Sequence, residues 1–326
     1  MESSTPEKRL SEEQRDGDRE LNDSERRAQD YKYTEKTLSS FRPGLVIPAT
    51  ADRLDNLKLV LESVTEGIII PKEIVVICDG WQPDMQETNL PRTQIKYIST
   101  FKHEPGRQQP RNIGVRNLID STHVWFLDSD CLVAPDTLEK YQEAWLMCTA
   151  YDRVFIGPYD WMGPDRTTIQ PELKNDPRWN MFDKSNPAKS YVGNLGVALG
   201  NFSGNLVWPI NEFKRVGGFW NELHMGRCED GELGIRASAM CVPMSLVKDA
   251  RAYHIHHEVN LPLVYERNKR DVPMINERHP YVEDKGLIVV DRDGKRFDYI
   301  CSHCGEQVNT NESWPHGEKC HGKPFL

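Results

Sequence analysis

No stretch of this sequence is apolar for long enough to cross a bilayer. The longest runs, Gly67-Ile68-Ile69-Ile70 and Ile74-Val75-Val76-Ile77, are strand-sized. The start of the chain lacks the apolar core of a secretion signal, because Met1 opens a charged segment, so secretion and integral membrane association are not expected. Positive charge is not in excess either. Lys and Arg number 41 against 50 Asp and Glu, a formal net charge of −9, so no global field draws the chain to nucleic acid or an anionic membrane. Internal repeats are absent. The eight cysteines lack the spacing of a disulfide framework: Cys78, Cys131, Cys148, Cys228 and Cys241 are scattered, while Cys301, Cys304 and Cys320 crowd the tail. That usage fits a reducing cytosol and one metal site, and a cytoplasmic protein is expected. What remains is an ordinary soluble composition, 38% hydrophobic and 28% charged, in 326 residues that can bury one large core or two modest ones.

Residues 1–40 hold few large apolar side chains and read as a charged, mobile leader. From Phe41 the pattern changes. Gly44-Leu45-Val46-Ile47-Pro48 reads as a strand ended by proline, after which Asp52 is placed to cap a helix with Leu54, Leu57, Leu61 and Val64 on one face. Glu73–Cys78 is a second strand, closed by Asp79-Gly80, and Gln94–Ile98 a third. A helix over Asn112–Ile119 leads into His123-Val124-Trp125-Phe126-Leu127, a buried-looking strand. Pro135 then opens a helix lined by Leu138, Tyr141, Trp145 and Cys148. Strands alternating with helices predict an α/β fold with a single mostly parallel sheet flanked by helices, over residues 41–260. Residues 158–200 read as long loops, and a further helix from Asp230 puts Leu233, Ala237 and Met240 on one face. Residues 261–285 are a linker or helical extension, and 286–326 a hairpin turning at Asp293-Gly294 with a small terminal module.

Five groups can carry chemistry. Asp128-Ser129-Asp130 follows the strand that ends at Leu127, at the sheet edge where open α/β sheets bind ligands. Two carboxylates there suit a hard divalent cation, though a helix cap and a solvated acid are the plain alternative. Asp79 ends another strand, where Asp-Gly is also a common turn. The segment Gly106–Gly114 brings Arg111 to a helix start, a place for a phosphate or a base, or for a solvated side chain. Glu229-Asp230 opens a helix, where acids satisfy free backbone N–H groups or accept a proton. In Tyr253-His254-Ile255-His256-His257, spacing of two puts His254 and His256 on one face; either can be a metal ligand.

Taken in order, strand–Pro, Asp-Gly, Arg-Asn-x-Gly, Asp-x-Asp, Gly217-Gly218-Phe219, Glu229-Asp230 and Ala252-Tyr253-His254 resemble the family 2-type glycosyltransferases of the A-fold, in particular the chondroitin-polymerase and galactosyltransferase-like branch. The resemblance covers roughly residues 43–258. It implies an inverting, metal-dependent enzyme moving a sugar from a nucleoside-diphosphate donor, with uridine diphosphate expected, to an acceptor hydroxyl that can belong to a macromolecule such as modified nucleic acid, a peptide or a glycan. By the same resemblance Pro48, Ala49 and Thr50 line the nucleoside pocket, Asp79 accepts from the base, and Arg111 contacts the nucleotide. Asp128 meets ribose or metal, and Asp130 and His254 hold Mn2+ or Mg2+. Gly204 and Asn205 lie beside the donor sugar; Asp230 is the base and Glu229 holds the acceptor. The chain departs from the pattern at Cys78, often acidic in the family, and at Met225-Gly226-Arg227-Cys228. From another class, a non-catalytic nucleotide-sugar-binding adaptor with the same fold competes with the enzyme reading; four intact polar positions, Asp128, Asp130, Asp230 and His254, favour the enzyme.

The tail carries a separate signal. Cys301-x2-Cys304, then His316-x3-Cys320, has the ligand types and spacing of a tetrahedral structural Zn2+ site, with His303 and His321 as competing ligands. The charges around it are mixed, so the basic footprint of a DNA-binding finger is missing.

Overall fold

The computed structural model describes residues 41–84, 87–90, 92–101, 108–148, 153–165, 203–223, 228–240, 242–258, 261–279, 298–300 and 307–309. The leader at 1–40, most of the expected loop region, the turn at 293–294 and the tail residues Cys301, Cys304, His316 and Cys320 lie outside them.

An eight-stranded sheet organises the chain, in the order β10-β7-β9-β5-β1-β2-β4-β3. Its centre is parallel: β1 (Pro43–Ala49) lies between β5 (His123–Leu127) and β2 (Glu73–Asp79), and β2 pairs with β4 (Thr93–Thr100). Two stretches run antiparallel, β3 (Glu87–Leu90) along one edge and β9 (Asn205–Pro209) between β5 and β7 (Val154–Ile156), which pairs in parallel with β10 (Met244–Leu246). Pro48 sits inside β1 and does not end it. β5 has left the ladder at Val46, so proline is tolerated where β1 is open on one side.

Alternation sorts the sheet's side chains into two apolar layers. Leu45 and Ile47 of β1 and Trp125 and Leu127 of β5 face one layer, with Leu57, Val60 and Val64 of α1 (Leu54–Thr65) and Leu138, Tyr141 and Trp145 of α3 (Thr137–Leu146). Val46, Val124 and Phe126 face the other. There they meet Val115 of α2 (Gln108–Arg116), Phe213 of α4 (Ile210–Arg215) and Leu233 and Ala237 of α5 (Cys228–Ala239). Both faces are covered, which is why the central strands read as continuous apolar runs.

Local differences have local causes. A 3-10 turn, Ala51–Arg53, precedes α1, so Asp52 does not cap it and Arg53 takes that position. α2 starts at Gln108, four residues earlier than its sequence pattern indicates, because Pro110 falls in the first turn, where no N–H is needed. Met240 follows the end of α5 and is exposed, and Cys148 lies beyond α3. The extension after residue 260 is α6 (Leu261–Arg278), whose Ile275 packs with Leu223 and with Ile235 of α5.

The sheet is not single. β6 (Cys131–Val133), β11 (Ala252–His254) and β8 (Tyr159–Trp161) form a second one, in the order β6-β11-β8. In the tail, β12 (Asp298–Ile300) and β13 (Gln307–Asn309) pair antiparallel. Among the described residues no helix is long and apolar enough to cross a membrane.

Candidate active site

The parallel strands β1, β2 and β5 end on one edge of the large sheet, and the expected donor residues stand there. Ala49 and Thr50 close β1, and the Ala49 carbonyl accepts from the Trp81 indole at 3.0 Å. Asp79 closes β2, with the Thr100 hydroxyl donating to it at 3.4 Å. Cys78 beside it is buried, and burial pushes its thiol up to about 12, so it stays neutral.

Past Leu127 the chain turns. Cys131 N donates to the Asp128 carbonyl at 3.0 Å, so Ser129 and Asp130 occupy the middle of a tight turn. Side chains two apart share a face in a strand but not across such a turn, and the two carboxylates part. Asp128 accepts from Arg111 Nη2 at 2.7 Å. Asp130 meets Arg53 Nη1 and two imidazoles, His254 Nε2 at 3.7 Å and His257 Nε2 at 3.2 Å. Asp128 is thus a partner of Arg111, and among the described residues the cluster of potential metal ligands is Asp130, His254 and His257.

His254 reaches Asp130 from 124 residues away through the small sheet. β11 pairs antiparallel with β6, setting His254 opposite Cys131, and Ile255 N donates to the Asp130 carbonyl at 2.8 Å. β11 ends at His254, so the period of two does not continue. The second imidazole at Asp130 is therefore His257, and His256 is not part of the cluster. Trp161, paired with His254 in the sheet, lays its ring 4.2 Å from that imidazole, and Tyr159 stands 5.7 Å from both rings. Neither aromatic was singled out from sequence; the signal was the alternation Tyr159-Asp160-Trp161.

Arg111 is 2% exposed and spans two acidic groups. While Nη2 holds Asp128, Nη1 lies 3.7 Å from Glu229, and the guanidinium sits 5.4 Å from the centre of the Phe219 ring. It is a buried bridge between the two acidic groups. Its place depends on the Gly217-Gly218-Phe219 turn. Both glycines have positive φ, 90° and 66°, and Asn112 holds Phe219 by accepting from its N at 3.0 Å and donating to its carbonyl at 2.8 Å. Arg236, itself paired with the buried Glu232, donates to the Val216 and Gly218 carbonyls.

Glu229 and Asp230 lie buried in the first turn of α5. Asp230 is raised from 3.8 to about 7, first by burial and then by Glu229, with Asp128 adding a little; Arg111 and the Ser203 hydroxyl pull the other way. α6 contributes an acid that sequence reasoning missed. Asp271 is fully buried and also raised to about 7, by burial and by Glu229, against the pull of Arg270 and Arg267. It lay in a charged stretch without a motif.

Gly204 has its place beside Asp128 and the Tyr159 ring: a Cβ there would stand 3.6 Å from Asp128 Oδ2 and 3.3 Å from the ring. Asn205 does not present its side chain to that space. It is fully buried, accepts from Trp125 Nε1 at 3.0 Å and Tyr141 Oη at 2.9 Å, and donates to the Pro158 and Ala250 carbonyls. Both oxygen and nitrogen of its amide are thus committed to the core, tying β5 and α3 to the segments that lead into β8 and β11.

The arrangement has two ends. At one, ligand atoms of Asp130, His254 and His257 lie within 4.8 Å of one another. One carboxylate and two imidazoles fit a divalent transition cation such as Mn2+ better than Mg2+, which prefers oxygen alone, and they leave positions for phosphate oxygens or water. At the other, a carboxyl poised near neutrality can take a proton.

Comparison with known proteins gives a consistent picture of the fold. Residues 45–206 match the family model for Glycosyl transferase family 2. No curated protein matches by sequence. The structure is similar to Staphylococcus aureus TarS 1–349 in complex with UDP-GlcNAc, at 17% identity and TM-score 0.51, covering 68% of this chain and 60% of that one. It is similar to the mannosyltransferase PcManGT from Pyrobaculum calidifontis with GDP-Man and Mn2+, at 12% identity and TM-score 0.51, covering 78% and 72%. A third likeness is to GalNAc-T7 with UDP, GalNAc and Mn2+, at 14% identity and TM-score 0.50, covering 67% and 44%. The chain thus spans about three fifths of the TarS fragment.

Proposed function

We propose, from the match of residues 45–206 to the Glycosyl transferase family 2 model, that the protein is an inverting glycosyltransferase that uses a divalent cation and a nucleoside-diphosphate sugar. The observation that carries this reading is Arg111, which joins the Asp128–Asp130 turn to the Glu229-Asp230 pair and so fixes a donor end against a proton-accepting end.

Asp130, His254 and His257 would hold Mn2+, which when bound neutralises charge on the leaving diphosphate. Pro48, Ala49, Thr50 and Asp79 line the sheet edge for the nucleoside, with uridine the preferred base. Gly204 keeps the space beside Asp128 open for the sugar. Asp230 takes the proton of the acceptor hydroxyl as its oxygen bonds to the anomeric carbon. The bond from that carbon to the diphosphate oxygen breaks on the opposite face, so the configuration inverts. Burial and Glu229 keep Asp230 basic enough for this, and Glu229 faces the acceptor.

A macromolecular hydroxyl as acceptor fits the presence of an additional tail. In that tail we assign Zn2+ to Cys301, Cys304, His316 and Cys320, supported by the paired strands β12 and β13 on either side of Cys301-x2-Cys304 in sequence. A cytosolic location fits Cys78, Cys131, Cys148 and Cys228 standing outside any disulfide.

A panel of nucleotide sugars, screened by thermal shift with and without Mn2+, tests the donor end. Uridine-diphosphate sugars should raise the Tm in a Mn2+-dependent way. If no nucleotide sugar shifts it, the reading fails. Donor hydrolysis without acceptor, present in the wild type and lost with Mn2+ removed, separates an enzyme from a binding protein.

A further inference from the structure

Asp130 is held by a cation supplied by the chain itself. Its side chain is 2% exposed, and Arg53 Nη1 lies against Oδ2, the same oxygen that His257 approaches at 3.2 Å. A carboxylate so far out of water is costly to leave uncompensated. Arg53 compensates it, and Asp130 is its one side-chain partner among the described residues. The guanidinium stands at an oxygen of the carboxylate that a divalent cation between Asp130 and His257 would take. Two positive charges cannot share it, since at about 4 Å their repulsion amounts to several kcal/mol even at an intermediate dielectric.

Arg53 also has somewhere to go. It is 18% exposed, and it belongs to the short 3-10 turn, Ala51–Arg53, that follows Thr50 at the open edge of β1. Its long side chain starts beside the nucleoside end of the site and can swing without moving the strand. A planar guanidinium released there meets a diphosphate as a fork that binds two oxygens at once.

Building on the reading of this site as a cation and nucleoside-diphosphate site, we propose that Arg53 is a resident counter-cation of Asp130, which the divalent metal displaces and the donor's diphosphate then receives. The metal alone must break the Arg53–Asp130 pair without replacing it. Metal together with nucleotide gives both Arg53 and Asp130 new partners. The two ligands therefore bind with positive coupling, and by linkage each strengthens the other equally. Between turnovers, Arg53 keeps the site neutral and intact without metal.

The test is Mn2+ binding to the full chain, read by the electron paramagnetic resonance of the free ion, with and without UDP. Arg53→Met should tighten Mn2+ about tenfold in the absence of UDP, a change of about 1.4 kcal/mol. It should also cut the factor by which UDP tightens Mn2+ by at least about threefold. Asp130→Ala must abolish the binding in all cases. Equal Mn2+ affinity in wild type and Arg53→Met, with Asp130→Ala still losing it, overturns the role of Arg53 and leaves the metal site standing. Undiminished binding in Asp130→Ala overturns the metal site and the inference with it. If Arg53→Met does not fold, Arg53→Lys carries the test: its weaker, single-point contact should raise Mn2+ affinity by a smaller factor, and no rise overturns the proposal.

Discussion

Asp230 and His257 show at the scale of single residues how the site trades stability for chemistry. Folded, Asp230 keeps its proton up to about pH 7, whereas in the unfolded chain it loses it near the ordinary carboxyl value of 3.8. The folded state then binds more protons across that window, so this group's contribution to stability falls as pH rises from about 4 to 7. Asp230→Asn removes the penalty. It should raise the Tm at pH 8 by about 2–4 °C while abolishing transfer, and thermal melts with turnover assays check both. In the wild type, kcat/KM should rise with pH on an apparent pKa near 7 and then level, because the base acts unprotonated; a rising limb centred below pH 5 would assign the proton to another group. His257→Ala should weaken Mn2+ binding about 10–100-fold by isothermal titration, comparable to loss of a metal-site support, whereas His256→Ala should leave it unchanged.

At the scale of elements, the site depends on turns more than on helices and strands. The 128–131 turn separates Asp128 from Asp130 and gives each a different cation, Arg111 and Arg53. The Gly217-Gly218 turn, held by Arg236 and by Asn112, sets Phe219 beneath Arg111. Gly218 has φ 66°, and a Cβ there would stand 2.8 Å from Asn112 Oδ1. Gly218→Ala should therefore cost about 1–2 kcal/mol, lower the Tm by several degrees and reduce kcat more than KM, since Arg111 and the acids it orders shift together. Circular-dichroism melts and steady-state kinetics read the two effects separately.

Over the whole molecule, two sheets divide the work. The large, mostly parallel sheet presents the edge where Thr50, Asp79 and Asp128 stand, and the small β6-β11-β8 sheet carries His254 to it. Asn205, buried between Trp125, Tyr141 and the Pro158 and Ala250 carbonyls, ties the large sheet to the segments that lead into β8 and β11. The tail is a separate question with its own readout. Full-length protein should contain about one Zn2+ per chain by elemental analysis, the complement of a four-ligand site. Cys304→Ser should lose it without moving the Mn2+ affinity. Retained Zn2+ in that variant would remove Cys304 from the ligand set.

By itself the sequence determined the parallel core, because buried strands must be continuously apolar, and it marked Asp79, Asp128, Asp130, Asp230 and His254 through types and order that follow strand ends and helix starts. It could not say which carboxylate meets which cation. Asp128 and Asp130 are two residues apart, and only the turn between them sends one to Arg111 and the other to Arg53 and the imidazoles. Nor could a period of two choose His257 over His256, since the strand stops at His254. Asp271 and Arg53 carried no motif at all. They join the site because α6 packs on α5 and the 3-10 turn follows β1. Such long-range contacts leave no local pattern, and tertiary structure alone decided them.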